Sequence, residues 1–207
     1  MAKIESTFLN MLTVLTVTTL IIGAALGYVY NITKKPIAEA EQKQQIEAIQ
    51  MVAPEFDNSP IEDKYLLKIG ADSLEVTVFP AKKGGQKVGA AVEAITKKGF
   101  GGEIKIMVGF NADGSIRNYR VLKHAETPGL GSKMDEWFRT DKNNQNILGK
   151  NPATDRLTVS KDGGSVDAIT AATISSRAFL DAIQTAYNAY MNRTDAQSGA
   201  SYKAHTK

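Results

Sequence analysis

The spacing of apolar and polar positions changes character in steps along this chain. No charged residue lies between Glu5 and Lys34, and the run from Phe8 to Tyr30 is mostly apolar. A transmembrane helix needs about 20 such residues to cross the hydrocarbon core. The apolar part of a cleaved signal peptide is only about 7–15 residues, so the run predicts an uncleaved anchor. Tyr28 and Tyr30 fall where interfacial aromatics belong. Thr13, Thr16, Thr18, Thr19, Gly23 and Gly27 are the small and hydroxyl residues common at helix contacts in lipid. From Pro36 to Ala53 the composition turns to good helix formers, with Ile46, Ile49 and Ala53 at helical spacing. Proline suits the first turn of such a helix, and Pro54 marks its end.

The period then shortens to two. Leu74–Phe79 and Lys87–Thr96 read as strands around the turn at Lys82–Gln86. Gly99–Gly102 interrupts the chain, and Ile104, Ile106, Val108 and Phe110 alternate on a third strand. The Asn111–Ser115 turn leads to a returning strand over Ile116–His124. Met134–Phe138 predicts one or two helical turns, Arg156–Ser160 a short strand, and Ile174–Met191 a last helix with Phe179, Ile183, Ala186 or Tyr187, and Tyr190 on one stripe. The expected fold class is α+β. A short N-terminal tail (1–7), a single transmembrane helix (8–30) and a linker helix (31–54) precede one domain (55–191). That domain has a twisted antiparallel sheet flanked by helices, and a polar C-terminal tail (192–207) follows it.

Composition narrows the chemistry. The formal net charge of +3 and the lack of a basic stripe with interleaved aromatics argue against nucleic acid as a partner. With no cysteine, the chain has no structural disulfide, thiolate zinc site or cysteine-ligated iron–sulfur cluster. Two histidines, His124 and His205, are too few for a histidine-rich metal site. Lys3 lies before the apolar run and Lys34, Lys35 and Lys43 after it. This distribution does not settle orientation, because charge bias acts weakly on long translocated segments.

Three local patterns carry candidate chemistry. The first is Asp167-Ala168-Ile169-Thr170-Ala171-Ala172-Thr173, at the start of the last predicted helix. A phosphoester needs a hydroxyl on exposed backbone with small neighbours. Thr173 supplies the oxygen, and Ala171 and Ala172 the clearance. A helix start also directs free N–H groups and the positive end of its dipole at a phosphate. The plain alternative is that Thr173, Ser175 or Ser176 is an N-cap. The second pattern is Glu126-Thr127-Pro128-Gly129-Leu130-Gly131, either an ordinary strand-to-helix turn or a ledge against a planar ring. On the ledge reading, Leu130 covers a ring face while Glu126 and Thr127 meet its edge. The third is Lys161-Asp162-Gly163-Gly164, either a surface turn or a lysine placed near a phosphate.

In this order, with the span and the Gly99–Gly109 stretch, these patterns resemble the FMN-binding G subunit of Rnf electron-transport complexes, which are ion-translocating ferredoxin:NAD oxidoreductases. The C subunit of the sodium-translocating NADH:quinone reductase is a more distant relative. The resemblance runs from Phe8 to about Met191. It implies FMN bound covalently as a phosphoester to Thr173, within a signature that includes Thr170, Ala171 and Ala172. It also implies Glu126, Thr127 and Leu130 beside the isoalloxazine, Lys161 at the phosphate end, and Asp167 in the sequence recognised by a flavin transferase. The implied partners are that transferase, the lipid bilayer, and other membrane and redox subunits. The implied location is a bacterial inner membrane, single-pass, with the soluble domain on the periplasmic side. The isolated subunit is expected to have no turnover of its own. A membrane-anchored binding or assembly module without flavin is the alternative. Ala171 stands where the family usually has glycine; a left-handed backbone there would impair flavinylation, and the expectation is a negative φ, where alanine carries no penalty.

Overall fold

The computed structural model describes residues 7–70 and 74–192. They divide into two compact units between Gln44 and Gln45. Apart from Thr7 and Asn192, the tails expected at 1–7 and 192–207 lie outside the described residues.

The first unit is the long N-terminal part of helix α1, which runs as one element over Phe8–Val52. It is long and apolar enough to cross a membrane. Among the described residues, Leu9, Leu15, Leu20, Ile21, Ile22 and Leu26 are all exposed. The threonine hydroxyls along it are satisfied internally. Thr13 donates to the carbonyl of Leu9 at 2.8 Å, Thr16 to that of Leu12 at 2.9 Å and Thr18 to that of Val14 at 2.8 Å. Backbone acceptors of this kind are what a hydroxyl needs where no water is at hand. Pro36, expected in the first turn of a separate helix, lies inside α1. It deprives the carbonyl of Ile32 of its helical donor, and good helix formers on its C-terminal side carry the helix on.

The second unit holds an open five-stranded antiparallel sheet in the order β1-β2-β3-β4-β5. The strands are β1 (Tyr65–Ile69), β2 (Leu74–Lys83), β3 (Gln86–Thr96), β4 (Ile104–Asn111) and β5 (Ile116–His124). Four of them match the predicted strands. The fifth, β1, is a largely exposed edge strand whose Tyr-Leu-Leu-Lys-Ile sequence shows no clean alternation. Gly84 and Gly85, both at positive φ, make the two-residue turn between β2 and β3.

Alternation along the strands feeds two cores. Val76, Val78, Ala90, Val92, Ile104, Ile106, Val108 and Phe110 face a large core shared with helix α3 (Thr173–Tyr190). Phe79, Ala81, Ala91 and Met107 face the last turns of α1 through Ala48, Ile49, Val52 and Ala53. Gly109 allows this second layer to close: a methyl there would lie 1.8 Å from the carbonyl oxygen of Val52. Gln45 donates to Glu93 at 2.7 Å across the same interface.

Helix α3 is buried on more than the expected stripe. Asp181, Thr185 and Asn188 are buried as well as Phe179, Ile183 and Tyr187. Asp181 accepts from the Thr96 hydroxyl at 3.1 Å at the end of β3, and a second cover is formed by helix α2 (Met134–Trp137) and the irregular chain that follows it. Met134, Phe138, Ile147, Leu157, Val159 and Val166 all join the α3 core. Phe138 stacks on Phe179 with ring centroids 4.6 Å apart. The strand expected at Arg156–Ser160 is not formed. Leu157 and Val159 point into the core, but only the isolated bridge Val159–Val166 pairs this segment.

Candidate functional site

The start of α3 stands at the centre of a cleft of about 320 Å³ lined by Phe100, Thr127, Leu130, Gly131 and Ala171 through Ser175. Three loops build it. In the first, Gly99 and Gly102 exchange backbone hydrogen bonds of 3.1 and 3.3 Å, and Phe100 is presented at the rim, 70% exposed. Gly101 fits so closely that a methyl on it would lie 1.9 Å from the carbonyl oxygen of Ala125. In the second loop, Leu130 N–H donates to the Thr127 carbonyl at 3.1 Å around Pro128 and Gly129, with Gly129 at φ +75°. Proline followed by a left-handed glycine is the pairing that suits a type II turn. The third loop is Thr170–Ala172, leading into α3.

Buried Glu126 joins these loops from beneath. Its Oε1 accepts from Gly101 N–H at 2.9 Å, and its Oε2 accepts from the hydroxyl of Ser175. Gly131 leaves room for this contact, since a methyl there would lie 2.6 Å from both Glu126 Oε2 and Ser175 Oγ.

Thr173 is the first residue of α3, and no side chain caps this helix. The N-cap alternative therefore fails for all three hydroxyls. Ser175 is engaged by Glu126. Ser176 accepts from Ile169 N–H and donates to the Ala172 carbonyl, each at 2.9 Å. The Thr173 hydroxyl instead receives Lys161 Nζ at 3.4 Å, from an exposed 3-10 turn over Ser160–Asp162. First-turn amides have no intrahelical acceptor, so hydroxyl, ammonium and helix start present positive potential at one place.

Among the predicted residues, the structure brings Thr127, Leu130, Ala171, Ala172 and Thr173 into one cleft, with Lys161 at its Thr173 end. Glu126 is near it but buried, and Thr170 is exposed just before it. The carboxylate of Asp167 accepts from Asn144 N–H at 3.3 Å, and its carbonyl from Trp137 Nε1 at 2.9 Å, which ties it to the covering segment instead of the cleft. Ala171 overturns the expected backbone: its φ is +61°, in the left-handed region. Phe100 and Ile174, 70% and 49% exposed at the cleft, were assigned no role from sequence. An aromatic set between glycines was the available signal for the former.

A polar end holding a hydroxyl and a lysine, joined to walls of Leu130, Phe100 and Ile174, fits a ligand with a phosphate at one end and a flat apolar body at the other. This defines a protein of the FMN-binding class: residues 99–188 match the family model described as FMN-binding domain. Curated relatives extend the likeness to most of the chain. The G subunit of the ion-translocating oxidoreductase complex of Aliivibrio fischeri is 38% identical over 166 residues, 76% of this chain and 78% of that relative. Its counterpart in Vibrio cholerae is 34% identical over 177 residues, 81% and 82% of the two chains. That of Shewanella amazonensis is 32% identical over 173 residues, 79% of each. The chain belongs to the family of G subunits of ion-translocating oxidoreductase complexes.

Proposed function

We propose that this chain is the FMN-bearing electron-transfer subunit of an Rnf-type ion-translocating ferredoxin:NAD oxidoreductase complex, anchored by α1 and carrying the flavin as a phosphoester on Thr173. One observation supports this above the rest. The Thr173 hydroxyl sits at an uncapped helix start, beside Lys161, and opens on an apolar-walled cleft. In maturation the Thr173 Oγ1–phosphorus bond forms, the bond from phosphorus to the leaving group of an activated flavin donor breaks, and the hydroxyl proton departs with that group. A flavin transferase is the catalyst, and Asp167 belongs to the sequence it reads. When bound, FMN supplies one- and two-electron redox chemistry, while the protein supplies position and local charge. Thr127 and Leu130 border the ring, Glu126 holds their loop, and Lys161 meets the phosphate.

On this reading the soluble unit lies on the extracytoplasmic face of a bacterial inner membrane, beside the other membrane and redox subunits. Electrons pass through the flavin between those subunits, so the isolated chain has no substrate to turn over.

The deciding experiment is co-expression of the full chain with a flavin transferase, followed by denaturation, intact mass and in-gel flavin fluorescence. FMN mass is retained by the wild type and lost in Thr173→Val. A colourless, unmodified wild-type protein makes the chain a membrane-anchored module without flavin. Protease protection in spheroplasts tests the orientation.

A further inference from the structure

Lys161 is an exposed side chain on a short irregular turn, and such a lysine is ordinarily free to swing away from its partner. The turn that carries it is fixed by its neighbour. The Asp162 carboxylate takes a two-pronged hydrogen bond from Arg177, Nε to Oδ2 at 2.8 Å and Nη2 to Oδ1 at 2.7 Å. Both partners are half-buried, and Asp162 is the more enclosed. This fork-to-fork geometry restricts orientation as well as distance.

Arg177 and Thr173 are spaced i and i+4 on α3, one above the other on the same face. Lys161 and Asp162 are consecutive on the turn. The pair therefore lays the turn along the first coil of α3, with one residue gripping Arg177 and the next reaching the Thr173 oxygen. Gly163, left-handed at φ +75°, closes the turn directly after Asp162. Arg177 also holds the Asp162 carboxyl below the ordinary carboxylate range. Asp162 in turn offsets the Arg177 charge, which leaves Lys161 as the cation aimed at the hydroxyl.

We propose that Asp162 and Arg177 are positioning residues, a clasp that holds Lys161 at the Thr173 oxygen and so presets the cation that receives the flavin phosphate; this assignment rests on Thr173 being the attachment site. In this assignment the phosphate is met by Lys161 and not by either clasp residue. Their effect passes through Lys161, and breaking the clasp is expected to slow flavin loading without unfolding the chain.

The test is the first-order rate of covalent FMN loading on the full-length protein during co-expression with a flavin transferase, followed by intact mass. The variants are Asp162→Asn, Arg177→Lys, Lys161→Ala, and each clasp variant combined with Lys161→Ala. Trp137 emission and thermal melting confirm the fold, and Arg177→Lys, which keeps the charge but loses the fork, serves if Asp162→Asn unfolds. We expect each clasp variant to slow loading several-fold on its own and to have no further effect once Lys161 is alanine. That non-additivity is the signature of action through Lys161, and a purely structural role does not produce it. Loading at the wild-type rate in a folded clasp variant overturns the clasp, as does equal slowing with and without Lys161. If the wild type itself carries no FMN, the attachment site fails; if the wild type loads and the clasp variants load equally, only the clasp fails.

Discussion

Ala171→Gly is a substitution whose sign alone is informative. Ala171 sits at φ +61°, directly before the helix start that presents Thr173. The other described non-glycine residues at positive φ are Asn143 and Asn192, and asparagine tolerates that region. An L-residue with a plain methyl does not, and the left-handed conformation costs it roughly 1–2 kcal/mol. Glycine removes that cost. Against the gain stands its greater freedom in the unfolded chain, about 0.4–1 kcal/mol. The balance is a stabilisation of about 0.8 kcal/mol, which for a unit of this size raises Tm by about 2 °C. Were φ negative, the same substitution would destabilise by roughly 0.5–1 kcal/mol.

The assay is urea unfolding of the full chain in detergent, followed by the emission of Trp137, the single tryptophan, whose indole N–H bonds the carbonyl of Asp167 in the adjoining segment. Ala171→Asn should lie near the wild type, and Ala171→Val well below it. Loss of stability in Ala171→Gly would refute the left-handed assignment and, with it, the idea that this chain tolerates strain beside its proposed attachment residue.

Two further outcomes follow from packing and burial. Gly109→Ala places a methyl 1.8 Å from the carbonyl of Val52 and must push the end of α1 off the sheet. The expected cost is about 1–3 kcal/mol, typical of overpacking, and an unchanged denaturation midpoint would contradict the close approach. Burial pushes the Tyr119 phenol from 10.0 up to about 12, with its hydroxyl donating to the Met134 carbonyl at 2.8 Å. The native state therefore holds a proton that the unfolded state releases first, so stability is full below the unfolded value and falls as pH rises toward the folded one, by at most about 1.4 kcal/mol per pH unit. Tyr65 and Tyr190 are raised by burial too, so the measurement is the difference in alkaline slope between the wild type and Tyr119→Phe, and equal slopes would count against it.

The parts of this fold that sequence revealed are those where the two faces of an element meet different surroundings. Ile104, Ile106, Val108 and Phe110 alternate because α3 covers that face, while Lys105 and Gly109 point to the other layer. Strand β1 escaped because an edge strand with mostly exposed side chains has no face to mark. Leu157 and Val159 misled in the opposite direction: alternate burial against a core produces a period of two without any ladder. At the site, Thr173 and the Glu126–Gly131 loop were visible as local patterns. The bond between Glu126 and Ser175, separated by 49 positions, was not, because no local pattern encodes it. The φ of Ala171 was read with the wrong sign, since residue preference argues against a methyl in that region.

The shape of the cleft bears on the covalent bond proposed there. At about 320 Å³ it lies at the small end of ligand sites, which run about 300–1,000 Å³. Its Phe100, Leu130 and Ile174 walls remain substantially exposed. Affinity from burial grows with the apolar area removed from water, so a cleft this shallow retains a flat ligand poorly. The ester proposed at Thr173 would remove dissociation as a constraint and let the ring stay open to a neighbouring electron carrier. Precision then has to come from the protein beneath. Helix α3 supplies it, because all but its first turn is fixed in the core, and Glu126 locks Gly101 and Ser175 to one carboxylate. A site mounted on the end of a buried helix keeps its geometry while its ligand is exposed. By the same logic the proposal expects Thr173→Val to lose the flavin outright on gel filtration of the full chain, since what remains of the cleft has too little enclosed surface to hold it, and stoichiometric FMN retained by that variant would refute it.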